Sequence, residues 1–416
     1  MLPYPLHWTE RLAIKTDSRI LFVVLDGVGD VPINGETPLS AANTPNLDAL
    51  ARDASLGLST PVAPGVAPGS GPGHLALFGY DPLHYEVGRG VLSALGIGLD
   101  LSPNQVAARG NFATLAPDGT IADRRAGRIP TDLNKRLIAL LQDAIPSIED
   151  VQVNLYTEAE YRFVLVLTGD GLGGRVADTD PGRTGEPPRP AQATTQDPRD
   201  QKTARIIQQF VEKATHVLHE ADIVKEYDPA PNTVLIRGVD TKPNLPPFQQ
   251  VYKLTPGAIA SYPMYRGVAR LVGMETPPAD WSGSGERTET KLKLLREHGD
   301  KYDFIFFHVK KTDSYGEDGN FEMKKKQIED FDAILPDLLA WKPDVVLITG
   351  DHSTPVGVKA HSWHPLPVLI YGPHVRRDGR RFTEMDARGG SLGTLRHLDL
   401  MPLVLANALK MKKFGA

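Results

Sequence analysis

Three short apolar runs, far apart in the chain, each lead into residues with acidic or imidazole side chains. They are Ile20–Leu25, Phe304–Val309 and residues 344–349. Runs of this length, rich in β-branched and aromatic residues, are typical of buried strands in a mainly parallel sheet. Because ligands bind at the carboxyl ends of such strands, the residues that follow them constrain both fold and function.

The residues after these runs are those that bind divalent metals. Asp26 follows the first run, Asp313 comes shortly after the second, and Asp351-His352 follows the third. His361 lies in the loop before a further predicted strand at Leu366–Tyr371. A single Asp after a strand is commonly a helix N-cap. Several carboxylates and imidazoles at equivalent strand ends instead indicate a metal site.

Helices alternate with these strands, which predicts an α/β fold. We expect a doubly wound, mainly parallel sheet core interrupted by an inserted α+β domain. The hydrophobic pattern of the sequence changes near Leu101. Short runs of alternating polar and apolar residues and two amphipathic helices follow. The predicted core therefore comprises residues 1–104 and 251–416, and the predicted insert, a substrate-binding domain, comprises residues 105–250.

The composition, with 41% hydrophobic and 23% charged residues, is that of an ordinary soluble globular protein. A net charge of -5 without basic clusters argues against nucleic acid and anionic membranes as partners. The chain contains no Cys, which excludes disulfides, thiolate metal sites and thiol catalysis. Residues 1–15 lack the features of a signal peptide, and no apolar run has the length of a membrane span. We therefore expect a cytoplasmic protein.

Ser70 follows a loop rich in Pro, Gly and Ala and precedes a predicted helix. On local sequence alone it is a capping serine. A hydroxyl at a helix N-terminus also lies where backbone N–H groups favour a phosphate, and a divalent ion makes its alkoxide accessible near neutral pH. The neighbouring metal ligands therefore make Ser70 the candidate nucleophile.

Several short phrases, in order along the chain, resemble the alkaline phosphatase superfamily and, more closely, its cofactor-independent phosphoglycerate mutases of the archaeal type. The phrases are Asp26-Gly27, residues 44–51, Ser70, residues 79–82, 109–112, 123–128 and 311–313, and residues 350–353 with His361. The resemblance spans nearly the whole chain, and the order and spacing of the phrases make it specific. It implies a core of the alkaline phosphatase type.

The resemblance implies two divalent cations, Mn²⁺ or Mg²⁺, and no requirement for 2,3-bisphosphoglycerate. One ion would be held by Asp26, Ser70, Asp351 and His352. The other would be held by Asp313, His361 and the residue four positions after Asp313, which is a His in the family and Glu317 here.

Glu317 is either a surface acid, which leaves a three-ligand site, or a carboxylate that replaces the imidazole. We favour ligation, since such a replacement keeps the ligand count and favours harder ions over Zn²⁺. His364 is a possible source of an additional nitrogen ligand.

The resemblance also implies residues that bind the substrate. Asp123 and Arg125 match the family's glycerate-binding pair, and Arg266 matches a basic phosphate-binding residue; Arg suits both groups through bidentate pairing. His74, near Ser70, either orients phosphate or caps its own turn. Arg128 and Arg183 are weaker candidates, and a solvated surface position is the favoured interpretation of Arg183.

The implied activity is an isomerase of glycolysis and gluconeogenesis that interconverts 3-phosphoglycerate and 2-phosphoglycerate through a phosphoserine at Ser70. A metal-dependent phosphomonoester hydrolase with the same nucleophile is the first alternative. A non-catalytic relative whose second metal site has decayed at Glu317 is the second. The expected partner is a small phosphorylated substrate, and the oligomeric state stays open.

Overall fold

A computed structural model describes residues 2–281 and 285–415. Its strands are β1 (Ile20–Leu25), β2 (Ala54–Thr60), β3 (Gln105–Leu115), β4 (Ile121–Asp123), β5 (Ser147–Ile148), β6 (Val151–Ala159), β7 (Arg162–Thr168), β8 (Thr233–Thr241), β9 (Pro256–Ile259), β10 (Phe304–Val309), β11 (Val345–Thr349), β12 (Leu366–Tyr371) and β13 (Gly393–Arg396).

The α-helices of the described residues are α1 (Leu6–Leu12), α2 (Pro38–Ala41), α3 (Pro45–Arg52), α4 (Ser70–Leu77), α5 (Arg89–Gly96), α6 (Thr131–Ala144), α7 (Pro198–Glu220), α8 (Asp222–Lys225), α9 (Phe248–Tyr252), α10 (Pro263–Leu271), α11 (Thr288–His298), α12 (Lys311–Glu317), α13 (Phe321–Leu339), α14 (Glu384–Arg388) and α15 (Leu400–Asn407). None of them, within residues 2–281 and 285–415, has both the length and the apolarity needed to cross a bilayer.

The chain divides into two compact units, one formed by residues 1–86 and 245–416 and the other by residues 87–244. The second unit therefore starts before the predicted insert boundary at residue 105 and ends before residue 250. Helix α5 accounts for the earlier start, because it packs directly on β3. A Cβ on Gly90 would overlap the backbone of Ala107 and Ala108, and the N–H of Gly88 donates to Asp240 Oδ2 at 2.8 Å.

The first unit contains a seven-stranded sheet in the order β13-β2-β12-β11-β1-β10-β9. β1 is parallel to both of its neighbours, β10 and β11, whereas β12 is antiparallel to β11 and β2. β1, β10 and β11 are buried along their whole length. The predicted α/β class with a mainly parallel sheet is confirmed.

The register brings the ends of the three central strands level. Leu25 of β1 pairs with Val309 of β10, and Val24 pairs with Thr349 of β11. The residues that follow these strands therefore emerge at the same edge of the sheet.

The second unit has an antiparallel sheet in the order β4-β3-β7-β6-β5, with β8 also paired to β3. Its apolar face packs with α6 and α7 in one core that includes Leu137, Phe163, Ile207 and Phe210. Both helices were predicted from their amphipathic pattern. The segment between β7 and α7, residues 169–197, contains no helix or strand.

Candidate metal centre

The acidic and imidazole residues that follow the strands in sequence lie at one edge of the first unit's sheet. Asp26 follows β1, Asp313 lies in the first turn of α12 after β10, and Asp351 and His352 follow β11. All four side chains are at most 1% exposed as residues. The backbone N–H of Asp26 donates to the carbonyl of Val309 at 2.9 Å, which fixes the turn after β1 against β10.

Gly27 allows the Asp26 turn to approach its neighbours. Its φ is +62°, and a Cβ there would lie 2.5 Å from Thr354 Oγ1 and 2.8 Å from the Cβ of Asp313. Its N–H donates to Asp351 Oδ1 at 3.0 Å. A side chain at this position would therefore be strained and would separate Asp26 from the other acids.

His361 reaches the same edge because β12 is reversed, so that the loop entering β12 lies beside the end of β11. An isolated bridge between Ser353 and Ser362 ties the two segments together. The Nδ1–H of His361 donates to the carbonyl of Pro68 at 2.8 Å, and its ring stacks on that of His352 with centroids 3.7 Å apart. His361 Nε2 then lies 3.3 Å from Asp313 Oδ1.

Ser70 is the first residue of α4 and is 7% exposed. Its Oγ lies 3.2 Å from His352 Nε2. The first turn of α4 packs directly on the Asp351 loop, since a Cβ on Gly73 would lie 2.5 Å from the carbonyl oxygen of Asp351. The candidate nucleophile and the candidate ligands therefore meet in one buried place.

Two groups of side chains can each hold a metal ion. One is Asp26, Asp351 and His352, and the other is Asp313, His352 and His361; the ligand atoms within each group lie within 4.8 Å of one another. In the part of the chain described, both oxygens of Asp26 and Oδ2 of Asp351 are buried and accept no hydrogen bond of ordinary geometry. Their neighbours are ion pairs, with Lys310 Nζ at 3.2 Å from Asp26 Oδ2 and His74 Nδ1 at 3.3 Å from Asp351 Oδ2. Buried carboxylate oxygens require a partner, so these residues fit a divalent cation with oxygen and imidazole ligands.

Neither of the two additional ligand candidates, Glu317 and His364, is a member of these groups. The Oε1 of Glu317 is 3.7 Å from His361 Nε2, and its side chain is 55% exposed. His364 Nδ1 is 3.0 Å from Ser362 Oγ, and its ring stacks on Trp363. Glu317 therefore lies beside His361, outside the two groups whose ligand atoms all lie within 4.8 Å of one another.

The structure adds residues that sequence reasoning missed. Lys310 Nζ lies 3.2 Å from Asp26 Oδ2 and also contacts Asp313 Oδ2, so its ammonium bridges the acids of the two groups. His308 Nε2 lies 3.4 Å from Asp26 Oδ2, with both side chains fully buried. Both are visible in the sequence as polar residues at the end of an otherwise apolar strand.

Tyr265, on α10, is a third addition. Its ring stacks on His308 at 3.7 Å between centroids, and its hydroxyl donates to Ser70 Oγ at 3.4 Å. Burial, assisted by the charge of Asp26, holds the pKa of Tyr265 well above its usual range. The phenol is therefore a permanent hydrogen-bond donor toward the serine.

Neighbouring charges shift the pKa values of the candidate ligands. Burial alone would raise the pKa of Asp26, but Lys310 and the adjacent His308 and His352 hold that pKa well below its usual range. Burial lowers the pKa of His352. For His361, burial is outweighed by Asp313, which raises the pKa to about 9. A cation would therefore displace a proton from His361.

Two predicted substrate residues of the first unit have defined partners. His74 is fully buried. Its Nδ1–H donates to the carbonyl of Ser70 at 2.8 Å, and Nδ1 also lies 3.3 Å from Asp351 Oδ2. Arg266 donates to the carbonyl of Ser261, and its guanidinium lies 5.4 Å above the ring of Trp281.

The remaining predicted substrate residues belong to the second unit. The carboxylate of Asp123 accepts the N–H groups of Arg125 at 2.7 Å and Gly127 at 2.9 Å, so it stabilises the turn that presents Arg125. The side chain of Arg125 is exposed. Arg128 is also exposed, and Arg183 is a surface residue paired with Glu186.

Comparisons with known proteins identify the family of the chain. A family model described as 2,3-bisphosphoglycerate-independent phosphoglycerate mutase matches residues 51–223. A protein of Thermus thermophilus named "Probable 2,3-bisphosphoglycerate-independent phosphoglycerate mutase" is 57% identical over 410 residues, which are 98% of each chain.

Two solved structures are also similar. A protein from Pyrococcus horikoshii matches with a TM-score of 0.81 and 34% identity, over 96% of this chain and 99% of its own. A cofactor-independent phosphoglycerate mutase from Thermoplasma acidophilum matches with a TM-score of 0.67 and 30% identity, over 94% of this chain and 100% of its own. The chain belongs to the family of 2,3-bisphosphoglycerate-independent phosphoglycerate mutases.

Proposed function

We propose that this protein interconverts 3-phosphoglycerate and 2-phosphoglycerate by way of a phosphoserine at Ser70. One observation carries the proposal. The buried Oγ of Ser70, at the start of α4, lies 3.2 Å from His352 Nε2 beside carboxylate oxygens without hydrogen-bond partners, in a chain 57% identical to a named mutase.

Two divalent ions, Mn²⁺ or Mg²⁺, fit this arrangement. Asp26, Ser70, Asp351 and His352 would hold one, and Asp313 and His361, completed by Glu317, would hold the other. Bound ions of this kind lower the pKa of a serine hydroxyl and neutralise charge on phosphoryl oxygens. Harder ions are favoured because most of these ligands are oxygens.

Neighbouring side chains orient the hydroxyl of Ser70. The hydroxyl of Tyr265 and Nε2 of His352 flank Ser70 Oγ, at 3.4 and 3.2 Å, so the serine hydroxyl is oriented before substrate binds. The first N–H groups of α4 favour a phosphoryl group beside it. Lys310, close to the acids of both groups, supplies a further positive charge toward phosphoryl oxygens.

Transfer rather than hydrolysis requires that the glycerate stay bound, reorient and accept the phosphoryl group on its other hydroxyl. We assign recognition of its carboxylate to Arg125, held by the Asp123 turn, and a phosphate-binding role to Arg266. His74 is assigned to orientation of the Ser70 turn. Exclusion of water would protect the phosphoserine during this step.

The family type, the partner and the cellular location of the protein follow from the same proposed activity. We infer from its motifs that it is a mutase of the archaeal type and a member of the alkaline phosphatase superfamily. Its partner would be a small phosphorylated acid, and its location the cytoplasm, where phosphoglycerates are intermediates of glycolysis and gluconeogenesis.

An enolase-coupled assay tests the proposal. The Mn²⁺-loaded protein is incubated with 3-phosphoglycerate and excess enolase, and phosphoenolpyruvate and inorganic phosphate are both measured. A mutase yields phosphoenolpyruvate, whereas the alternative metal-dependent hydrolase releases phosphate alone. If neither product forms and Ser70→Ala behaves like the wild type, the protein is a non-catalytic relative.

A further inference from the structure

One buried hydroxyl, that of Thr354, lies between the two candidate metal-ligand groups. Thr354 is 0% exposed. Its Oγ1 donates to Asp313 Oδ1 at 2.7 Å and lies 3.0 Å from His352 Nδ1. Asp313 belongs to the group that contains His361, and His352 belongs both to that group and to the group that contains Asp26. A single side chain therefore contacts ligands of both groups.

The hydrogen bonds of the Thr354 hydroxyl determine the tautomer of His352. Asp313 is flanked by Lys310 and by His361, so it is a carboxylate and can only accept hydrogen bonds. The hydroxyl has one proton, which it donates to Asp313. Its oxygen can then only accept from His352, and the proton of a neutral His352 must be on Nδ1.

This tautomer leaves Nε2 of His352 free to bind a cation. Nε2 lies 3.2 Å from Asp351 Oδ2 and 3.5 Å from Asp26 Oδ1. Without an acceptor at Nδ1, these carboxylates would attract the proton to Nε2, and the nitrogen that faces Ser70 would lose its lone pair. The hydrogen bond at the distal nitrogen of a ligating His commonly fixes the tautomer in this way.

Thr354 is itself held from several sides. Its N–H donates to the carbonyl of Gly29 at 3.0 Å, and its carbonyl accepts from Lys324 Nζ at 2.9 Å. Lys324 is fully buried and pairs with Asp30 at 2.8 Å. The hydroxyl therefore has a fixed position relative to both ligand groups.

We propose that Thr354 is a positioning residue that couples the two metal sites: it fixes the Nδ1–H tautomer of His352 for one ion and orients the Asp313 carboxylate for the other. This inference rests on the proposed function, because it assumes that divalent ions bind there.

Metal binding tests the proposal with two matched variants. Thr354→Val keeps the shape and removes the hydroxyl, whereas Thr354→Ser keeps the hydroxyl. Mn²⁺ is titrated calorimetrically into each metal-free protein, with thermal unfolding as a control for folding. We expect wild type and Thr354→Ser to bind two ions, and Thr354→Val to bind about 10- to 100-fold more weakly, as for other lost partners of metal ligands. Unchanged affinity in Thr354→Val would overturn the inference.

The coupling is tested in backgrounds that retain one group. His361→Ala leaves the group of Asp26, and Asp351→Asn leaves the group of Asp313. Adding Thr354→Val should weaken Mn²⁺ binding in both backgrounds. Weakening in only one of them would overturn the coupling.

The tautomer is read without metal or activity, from ¹⁵N–¹H correlations of the imidazole nitrogens at pH 8, with His352→Gln to assign the signals. We expect the Nδ1–H form in wild type and Thr354→Ser and the Nε2–H form in Thr354→Val. An Nε2–H tautomer in the wild type would refute the inference even if Thr354→Val does not fold. A wild type that fails to bind two Mn²⁺ ions would refute the proposed function and this inference with it.

Discussion

The buried pair of Lys324 and Asp30 beneath the site leads to a quantitative prediction for Lys324→Met. The two side chains are 0% exposed and 2.8 Å apart. Lys324 Nζ also donates to the carbonyls of Thr354 and Gly29, at 2.9 and 3.3 Å. After the substitution Asp30 keeps only backbone donors, the N–H groups of Val31 at 2.9 Å and Val356 at 3.2 Å.

The magnitude follows from the balance between desolvation and attraction. Burial lowers the pKa of Lys324 even though Asp30 opposes this, so desolvation outweighs the attraction within the pair. Removing one partner leaves a buried charge uncompensated, which costs about 3–5 kcal/mol. Removing both charges in Asp30→Asn/Lys324→Met should cost only the hydrogen bonds to the two carbonyls, about 1–2 kcal/mol.

Urea unfolding of the metal-free proteins at pH 7 measures this difference. All four Trp residues, at positions 8, 281, 341 and 363, belong to the first unit, so their fluorescence reports on the unit that contains the pair. We expect the single variant to lose about 3–5 kcal/mol of unfolding free energy and the double variant to recover most of it. Equal destabilisation of the two variants would show that the uncompensated charge is not the cause.

Three further predictions concern single side chains. Burial raises the pKa of Glu384 to about 7, so the folded state binds this proton more tightly than the unfolded state does. The unfolding free energy should therefore fall by up to about 3 kcal/mol as pH rises from about 4.5 to 7, and Glu384→Gln should flatten this part of the curve; an identical pH profile in the variant would contradict the assignment. Glu317→His should retain turnover and shift metal preference toward Zn²⁺, since imidazole is a softer ligand than carboxylate; if Glu317→Ala leaves both affinity and turnover intact, Glu317 is not a ligand. Arg125→Ala should raise the ratio of phosphate released to phosphoenolpyruvate formed in the enolase-coupled assay by about tenfold or more, as expected for a lost bidentate contact, and an unchanged ratio would remove Arg125 from the glycerate site.

The central strands and the residues after them were predictable because their signals are local. β1, β10 and β12 begin and end at the predicted residues, since a short apolar run bounded by polar residues has few other interpretations. The convergence of Asp26, Asp313 and Asp351 followed from the geometry of a mainly parallel sheet. His361 reaches the same edge only because β12 is antiparallel to β11.

Other features depend on contacts that the sequence does not display. The boundary at residue 87 arises because α5 packs on β3, whereas its apolar sequence suits either unit equally well. Tyr265 reaches Ser70 across 195 positions of the chain, and its own segment carries no sign of this. Thr354 is an ordinary threonine in sequence, and its link between two ligand groups is visible only in three dimensions.

The central claim, that Ser70 accepts the phosphoryl group, is tested most directly by trapping the intermediate. The Mn²⁺-loaded protein is mixed with 3-phosphoglycerate carrying ³²P, quenched with acid within one turnover and digested, and the labelled peptide is sequenced by mass spectrometry. We predict phosphoserine at position 70, label that disappears in Ser70→Ala, and chase of the wild-type label into 2-phosphoglycerate. Turnover by the wild type with no label on Ser70, or undiminished label in Ser70→Ala, would contradict the account.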